Sequence, residues 1–183
     1  MHCSRRLLAV LTLGMLLGCR GRPAQPDLAA LVRDLQSPDT TVAGRANLAL
    51  ISAGEPAVPA IAALLGSEDP RIRRTAATTL WGMGPKARNA VPALAVTLGD
   101  AEPSIRVAAA MALENMGPEA RAALPALVRG LTDRETEVRQ WSAKALGAIG
   151  PDAAEAVPAL VQAAKFDLVR PAAEEAIQKI RGP

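Results

Sequence analysis

Aromatic residues are nearly missing from this chain of 183 residues, which holds one Phe, two Trp and no Tyr although half of it is apolar. Without rings as bulky filler, a core must be assembled from Ala, Leu, Val and Ile, which suits small side chains repeated along closely packed helices. Histidine and cysteine are as scarce. His2, Cys3 and Cys19 are the only ones, so from Arg20 onward the chain has neither residue type. That excludes zinc sites built on His or Cys, iron–sulfur clusters, haem with a His or Cys ligand, and Ser-His-Asp or Cys-His nucleophiles from the folded part. No metal and no cofactor is expected, and an enzyme is disfavoured. Excess charge is also lacking. The formal charge is +3, from 21 basic and 18 acidic residues, but without Arg5 and Arg6 of the N-terminal leader it is 19 minus 18, or +1. A balance so near neutrality gives no reason to expect nucleic acid as a partner.

The N-terminus has its own pattern. Met1 to Arg6 carry positive charge, the 11 residues from Leu7 to Leu17 are a mostly apolar run, and Gly18 and Cys19 follow. This order is that of a secretory leader, and the run is about half of the ~20 apolar residues that a spanning helix needs. LLGC, Leu16 to Cys19, resembles the lipobox of bacterial lipoprotein signal peptides. The resemblance implies a signal peptide over 1–18, cleavage before Cys19, and acyl chains on Cys19 that hold the protein at the membrane. The alternative is a signal in which Cys19 is incidental. Arg20 stands where an inner-membrane retention signal places Asp, so in a Gram-negative cell the resemblance implies the outer membrane or its periplasmic side. Residues 19–26 then form the lipidated cysteine and a short tether containing Gly21, Pro23 and Pro26. With Cys3 removed and Cys19 acylated, no intrachain disulfide remains possible.

The rest of the chain repeats itself. Pro59, Pro92, Pro125 and Pro158 are 33 residues apart, as are Gly84, Gly117 and Gly150, each followed by Pro. Ile72, Ile105 and Val138 keep that interval, and so do Arg73, Arg106 and Arg139, then Leu80, Leu113 and Leu146. A fixed period of this size marks a stack of supersecondary units. Within each unit, apolar spacing predicts two helices: Val91, Leu94 and Leu98, then Ile105, Ala109, Ala112, Leu113 and Met116. Pro70 and Pro103 suit the first helical position, Asp69 suits a cap, and the repeated Gly suits a left-handed helix end. Pro92 and its equivalents fall inside the first helix and predict a bend or a detached first turn.

AVPALAVTLGDAEPSIRVAAAMALENMG, within Ala90 to Gly117, resembles the HEAT family, specifically the short repeats of phycobiliprotein lyases. The resemblance covers 27–183 and implies an all-α, right-handed α-solenoid of about five HEAT-like helical hairpins. The first unit is degenerate, with 30 residues separating its Val42 from Ile72, and the last is two residues short between its helices.

A solenoid presents an extended face lined by its second helices. Counting from Ile72, Ile105 and Val138, the positions that vary fall on one side of those helices. They hold Arg74, Thr78 and Trp81 in one unit, Val107 and Met111 in the next, and Gln140, Trp141 and Lys144 in a third. These eight form the candidate partner-binding face, a partly apolar groove for a segment of a protein partner. The alternative is that Trp81 and Trp141 lie flat over gaps in an alanine-rich core. Arg73, Arg106 and Arg139, near Asp69, Asp100, Glu102 and Asp133, read as a structural ladder of inter-repeat salt bridges rather than a phosphate-binding stripe, while Arg71 and Arg74 make one local basic spot. Glu135 with Glu137, Glu174 with Glu175, and Ser142 with Lys144 are spaced so that they do not face each other on a helix.

These readings lead to a non-catalytic, lipid-anchored cell-envelope scaffold or adaptor, bound to the membrane through Cys19 and to a protein partner. Two alternatives stand beside it. One is a cytoplasmic accessory or regulatory protein, with a nucleic-acid or modifying-enzyme partner, if the leader is misread; the other is a chromophore-lyase-like enzyme.

Overall fold

The computed structural model describes residues 27–182. The signal peptide read over 1–18, and the lipidated Cys19 with its tether over 19–26, lie outside the described residues. Ten α-helices follow in order: α1 (Leu28–Leu35), α2 (Thr40–Ala53), α3 (Val58–Ala63), α4 (Pro70–Met83), α5 (Val91–Thr97), α6 (Pro103–Met116), α7 (Leu124–Gly130), α8 (Thr136–Ile149), α9 (Val157–Ala163) and α10 (Arg170–Arg181). Among the described residues there is no β-strand. The helices pair into five hairpins, and each even-numbered helix packs on the next, α4 on α6, α6 on α8 and α8 on α10. The result is the all-α solenoid of hairpins that the period of 33 predicts. None of these helices alone is long and apolar enough to cross a membrane.

Local chemistry sets the boundaries. Asp27 accepts from the backbone N–H of Ala29 and Ala30, Asp39 from Thr41 and Val42, and Asp69 from Arg71, so three helices open on a carboxylate cap. In α6 and α8 the device moves back: Asp100 accepts from the N–H of Glu102 at 2.9 Å, and Asp133 from that of Glu135 at 2.8 Å. Pro70 and Pro103 stand first in their helices, as expected. Gly84, Gly117 and Gly150 end α4, α6 and α8 with φ of 54°, 61° and 78°. Their ψ values, −136°, −132° and −146°, differ from the left-handed helical conformation expected. A following proline disfavours helical ψ in the residue before it, which leaves a region of positive φ that essentially only glycine enters.

The bend predicted at Pro92 resolves into a detached first turn. Gly84–Ala90 is a 3₁₀ segment, and α5 starts at Val91 with Pro92 in its first turn, where no intrahelical N–H is needed. Gly117–Ala123 before α7 and Gly150–Ala156 before α9 repeat the arrangement. Between the layers lies one continuous core of Leu, Ile, Val, Met and many alanines, with Leu50, Leu80, Leu113 and Leu146 fully buried. Alanine lets helices approach closely, and glycine does so where even a methyl group does not fit. A Cβ at Gly147 would lie 2.8 Å from Ala176 Cα of α10.

Candidate partner-binding face

The face in question belongs to α2, α4, α6 and α8. Its most open feature is Trp81, 43% exposed near the end of α4. Around it, Asn47 and Ile51 of α2, Thr78 and Gly82 of α4, and Ala108 and Met111 of α6 line a shallow, mostly apolar cleft of about 240 Å³. The side chain of Ile51 presses on Gly82, where an added Cβ would stand 2.7 Å from Ile51 Cδ1. Three of the eight residues singled out from the sequence, Thr78, Trp81 and Met111, therefore meet in one place. Val107 is half-buried on the same helix as Met111, and Arg74 is exposed one turn before Thr78.

The other three lie apart. Trp141 on α8 is half-buried against the core, and the Lys144 ammonium sits 4.2 Å from the centre of its ring. A cation over an aromatic face is attracted by the ring quadrupole, so these two side chains are each other's partners. Gln140 donates through Nε2 to the Leu168 carbonyl, joining α8 to the turn before α10. Asn47 and Ile51 were missed because the first unit has a different register. Counted from Val42, Ile51 occupies the column that holds Trp81 and Glu114, and that count was the available signal.

Behind the face runs the arginine ladder. Arg73 donates through Nε to Asp100 Oδ2 at 2.7 Å and through Nη2 to Asp100 Oδ1 at 3.0 Å, while Nη1 holds the Ser67 and Glu68 carbonyls. Arg106 repeats this with Asp133, at 2.8 and 2.9 Å, and with the Asp100 and Ala101 carbonyls. One guanidinium thus ties its own inter-helix turn to the carboxylate of the next, and fork-to-fork pairing of this kind is strong and directional. The Arg73 hydrogen bonds hold the Asp100 carboxyl below the usual carboxylate range. Burial raises that of Asp133, but the bonds from Arg106 and the Glu135 N–H outweigh it and the net shift is downward. Both arginines are pushed above their ordinary value by the same bonds.

Two expected partners are used otherwise. Asp69 caps α4 and pairs with Arg71 at 3.3 Å, and Glu102 is the N-terminal boundary residue of α6. Arg71 is not a basic spot waiting for a ligand. Its Nη2 and Nη1 reach the Gln36 and Ser37 carbonyls at 3.0 and 3.1 Å. Ala43 occupies the ladder column in the first unit, so Arg71 of the second covers a turn that no arginine of the first can reach. Arg139 keeps the backbone half of the pattern, with Nη1 donating to the Asp133 and Arg134 carbonyls, but has no carboxylate partner. No group of three or more His, Cys, Asp or Glu side chains is arranged to hold a metal among the described residues.

The recurring turns, the ladder and the paired helices all point to one kind of repeat. Residues 90–178 match the family model for HEAT repeats. No curated protein matches the chain. The HEAT-like stack is similar to several solved structures. One is an engineered protein, at 26% identity and a TM-score of 0.58, covering 84% of this chain and 79% of that one. Another is in the complex of CpcE and CpcF of phycocyanin lyase from Nostoc sp. PCC7120, at 22% identity and a TM-score of 0.67, covering 82% of this chain and 98% of that one. A third is a designed armadillo repeat protein in complex with the peptide (KR)4, at 20% identity and a TM-score of 0.64, covering 84% of this chain and 81% of that one. The last two bear on the fold alone, which is that of a repeat scaffold suited to protein interaction.

Proposed function

We propose that this protein is a lipid-anchored scaffold or adaptor of the cell envelope, which docks a segment of a protein partner in the cleft beside Trp81 and catalyses no reaction. The observation that carries the reading is the cleft itself. A large ring stands half exposed between two neighbouring repeats, in a column where the next two units have Glu114 and Gly147. Exposed Trp and Met side chains set around a concave apolar surface are the usual anchors of peptide recognition. The ladder arginines are engaged with carboxylates and carbonyls, which leaves little for a nucleic-acid phosphate to bind. The anchored location rests on the leader pattern and on LLGC ending at Cys19.

Two measurements test the two halves. The mass of the mature N-terminus, with Cys19→Ser as control, should show cleavage before Cys19 and acyl chains on it; an intact, unmodified Met1 in a soluble fraction defeats the envelope reading. Capture of partners from the native membrane should fall at least tenfold with Trp81→Ala while the thermal midpoint changes little. Unchanged capture together with a lower midpoint would make Trp81 a packing residue.

A further inference from the structure

Arg139 stands at the third rung of the ladder with no acid to hold. In the first two rungs the aspartate lies 27 residues after the arginine and six residues before the next one. The last hairpin is two residues short, so the position six residues before Arg170 is Ala164, whose carbonyl accepts from Arg170 Nε at 3.1 Å as the ladder pattern requires. Alanine supplies no carboxylate. Arg139 Nη2 turns instead to Thr136 Oγ1 at 2.9 Å, and Nε is buried without any hydrogen-bond partner. Over the guanidinium lies the ring of Phe166, 5.6 Å away, itself 57% exposed and followed by Leu168 at 69%.

We propose that Arg139 is a recognition site for a carboxylate presented by an acidic peptide segment of a partner protein, with apolar residues flanking the acid. Arg73 and Arg106 show within this same chain what the position accepts: two oxygens, one on Nε and one on Nη2. An unpaired buried N–H is costly, and a charge-assisted fork is stronger than one cation–π contact at an exposed ring, so an incoming carboxylate that displaces the ring gains on exchange. The ring can leave without disturbing the fold. The backbone of Phe166 is held by its carbonyl, which accepts from the N–H of Val169 and Arg170 at 2.9 Å each, while the side chain is mostly in solvent. Displaced, Phe166 joins Leu168 as an apolar border beside the site. This site lies on the last repeats and is independent of the Trp81 cleft.

The test follows the Arg139 Nε–H resonance of the full-length protein by ¹⁵N NMR during titration with an acetylated, amidated Leu-Asp-Leu peptide. A saturable downfield shift is expected, with at least tenfold weaker binding for the Leu-Asn-Leu peptide. Ala164→Asp, which supplies the missing carboxylate in the chain, should also weaken the peptide by at least tenfold while raising the thermal midpoint. Arg139→Lys should lose the binding with an unchanged helical circular dichroism spectrum. Equal binding of the two peptides, or no effect of Ala164→Asp, overturns the proposal even if Arg139→Lys fails to fold. Acetate binding as tightly as the peptide overturns the peptide assignment.

Discussion

Arg106 grips Asp133 with two hydrogen bonds, Nε to Oδ2 at 2.8 Å and Nη2 to Oδ1 at 2.9 Å, across the joint between two repeats. Both side chains are largely shielded, 8% and 14% exposed. Removing one partner leaves the other charge shielded from water and unpaired, which is the costly case. Arg106→Ala is therefore expected to destabilise the fold by about 3 kcal/mol and to lower the midpoint of thermal unfolding by about 8 °C. Replacing Arg106 and Asp133 together by apolar residues should recover part of that loss, which a double-mutant cycle measures.

Acid should loosen the same joints. The folded-state values of Asp100 and Asp133 are depressed, so their contribution is complete above the ordinary carboxylate value of about 3.9 and is lost as pH falls through the folded values. Denaturant unfolding followed from pH 7 to pH 2 should show stability declining below about pH 4. An Asp100→Asn, Asp133→Asn double variant should be less stable at pH 7 and show a flatter acid limb.

Gly130 and Ser142 form a matched pair. An added Cβ at Gly130 would run into the Ser142 hydroxyl and come within 3.0 Å of Ser142 Cβ, so α7 and α8 meet where no side chain fits. One repeat earlier the sizes are exchanged, Thr97 facing the alanine-rich helix that carries Ala109 in the column of Ser142. Gly130→Ala should cost about 2 kcal/mol by overpacking, and adding Ser142→Ala should restore most of it. Equilibrium unfolding of the two variants checks both steps.

Asn115 Nδ2 donates to the Trp81 carbonyl at 2.7 Å, covering a helix-end acceptor in the neighbouring repeat. Asn115→Ala should lose about 1 kcal/mol. Asn115→Asp should lose more, because a carboxylate would face a carbonyl, and the difference should shrink at low pH as the acid protonates.

The even-numbered helices were legible because identical columns, Ile72 with Ile105 and Val138, Leu80 with Leu113 and Leu146, carry the helical period without interruption. Pro92 was read correctly as a disturbance, yet the outcome, a 3₁₀ segment leading into a helix that begins at Val91, depends on how its flanks pack and not on the proline alone. The site was legible in part. Trp81 and Met111 stood out by column, whereas Asn47 and Ile51 did not, because the first unit is three residues short and its register differs. The same arithmetic hid the third rung. A shortening of two residues removes the acid from reach of Arg139 and brings Phe166 there instead, which no column of the regular units foretells.

The ladder also determines how such a chain can grow. Because each arginine looks forward 27 residues for its acid and backward six for its carbonyl, a copy of residues 86–118 inserted after Pro118 would find both joints already complementary: Arg106 would meet the duplicated Asp100, and the duplicated Arg106 would meet Asp133. Shorter or longer insertions would break the register at two joints at once. The whole repeat is thus the smallest increment of length that this architecture tolerates, and the reach of its face is adjustable only in steps of one hairpin.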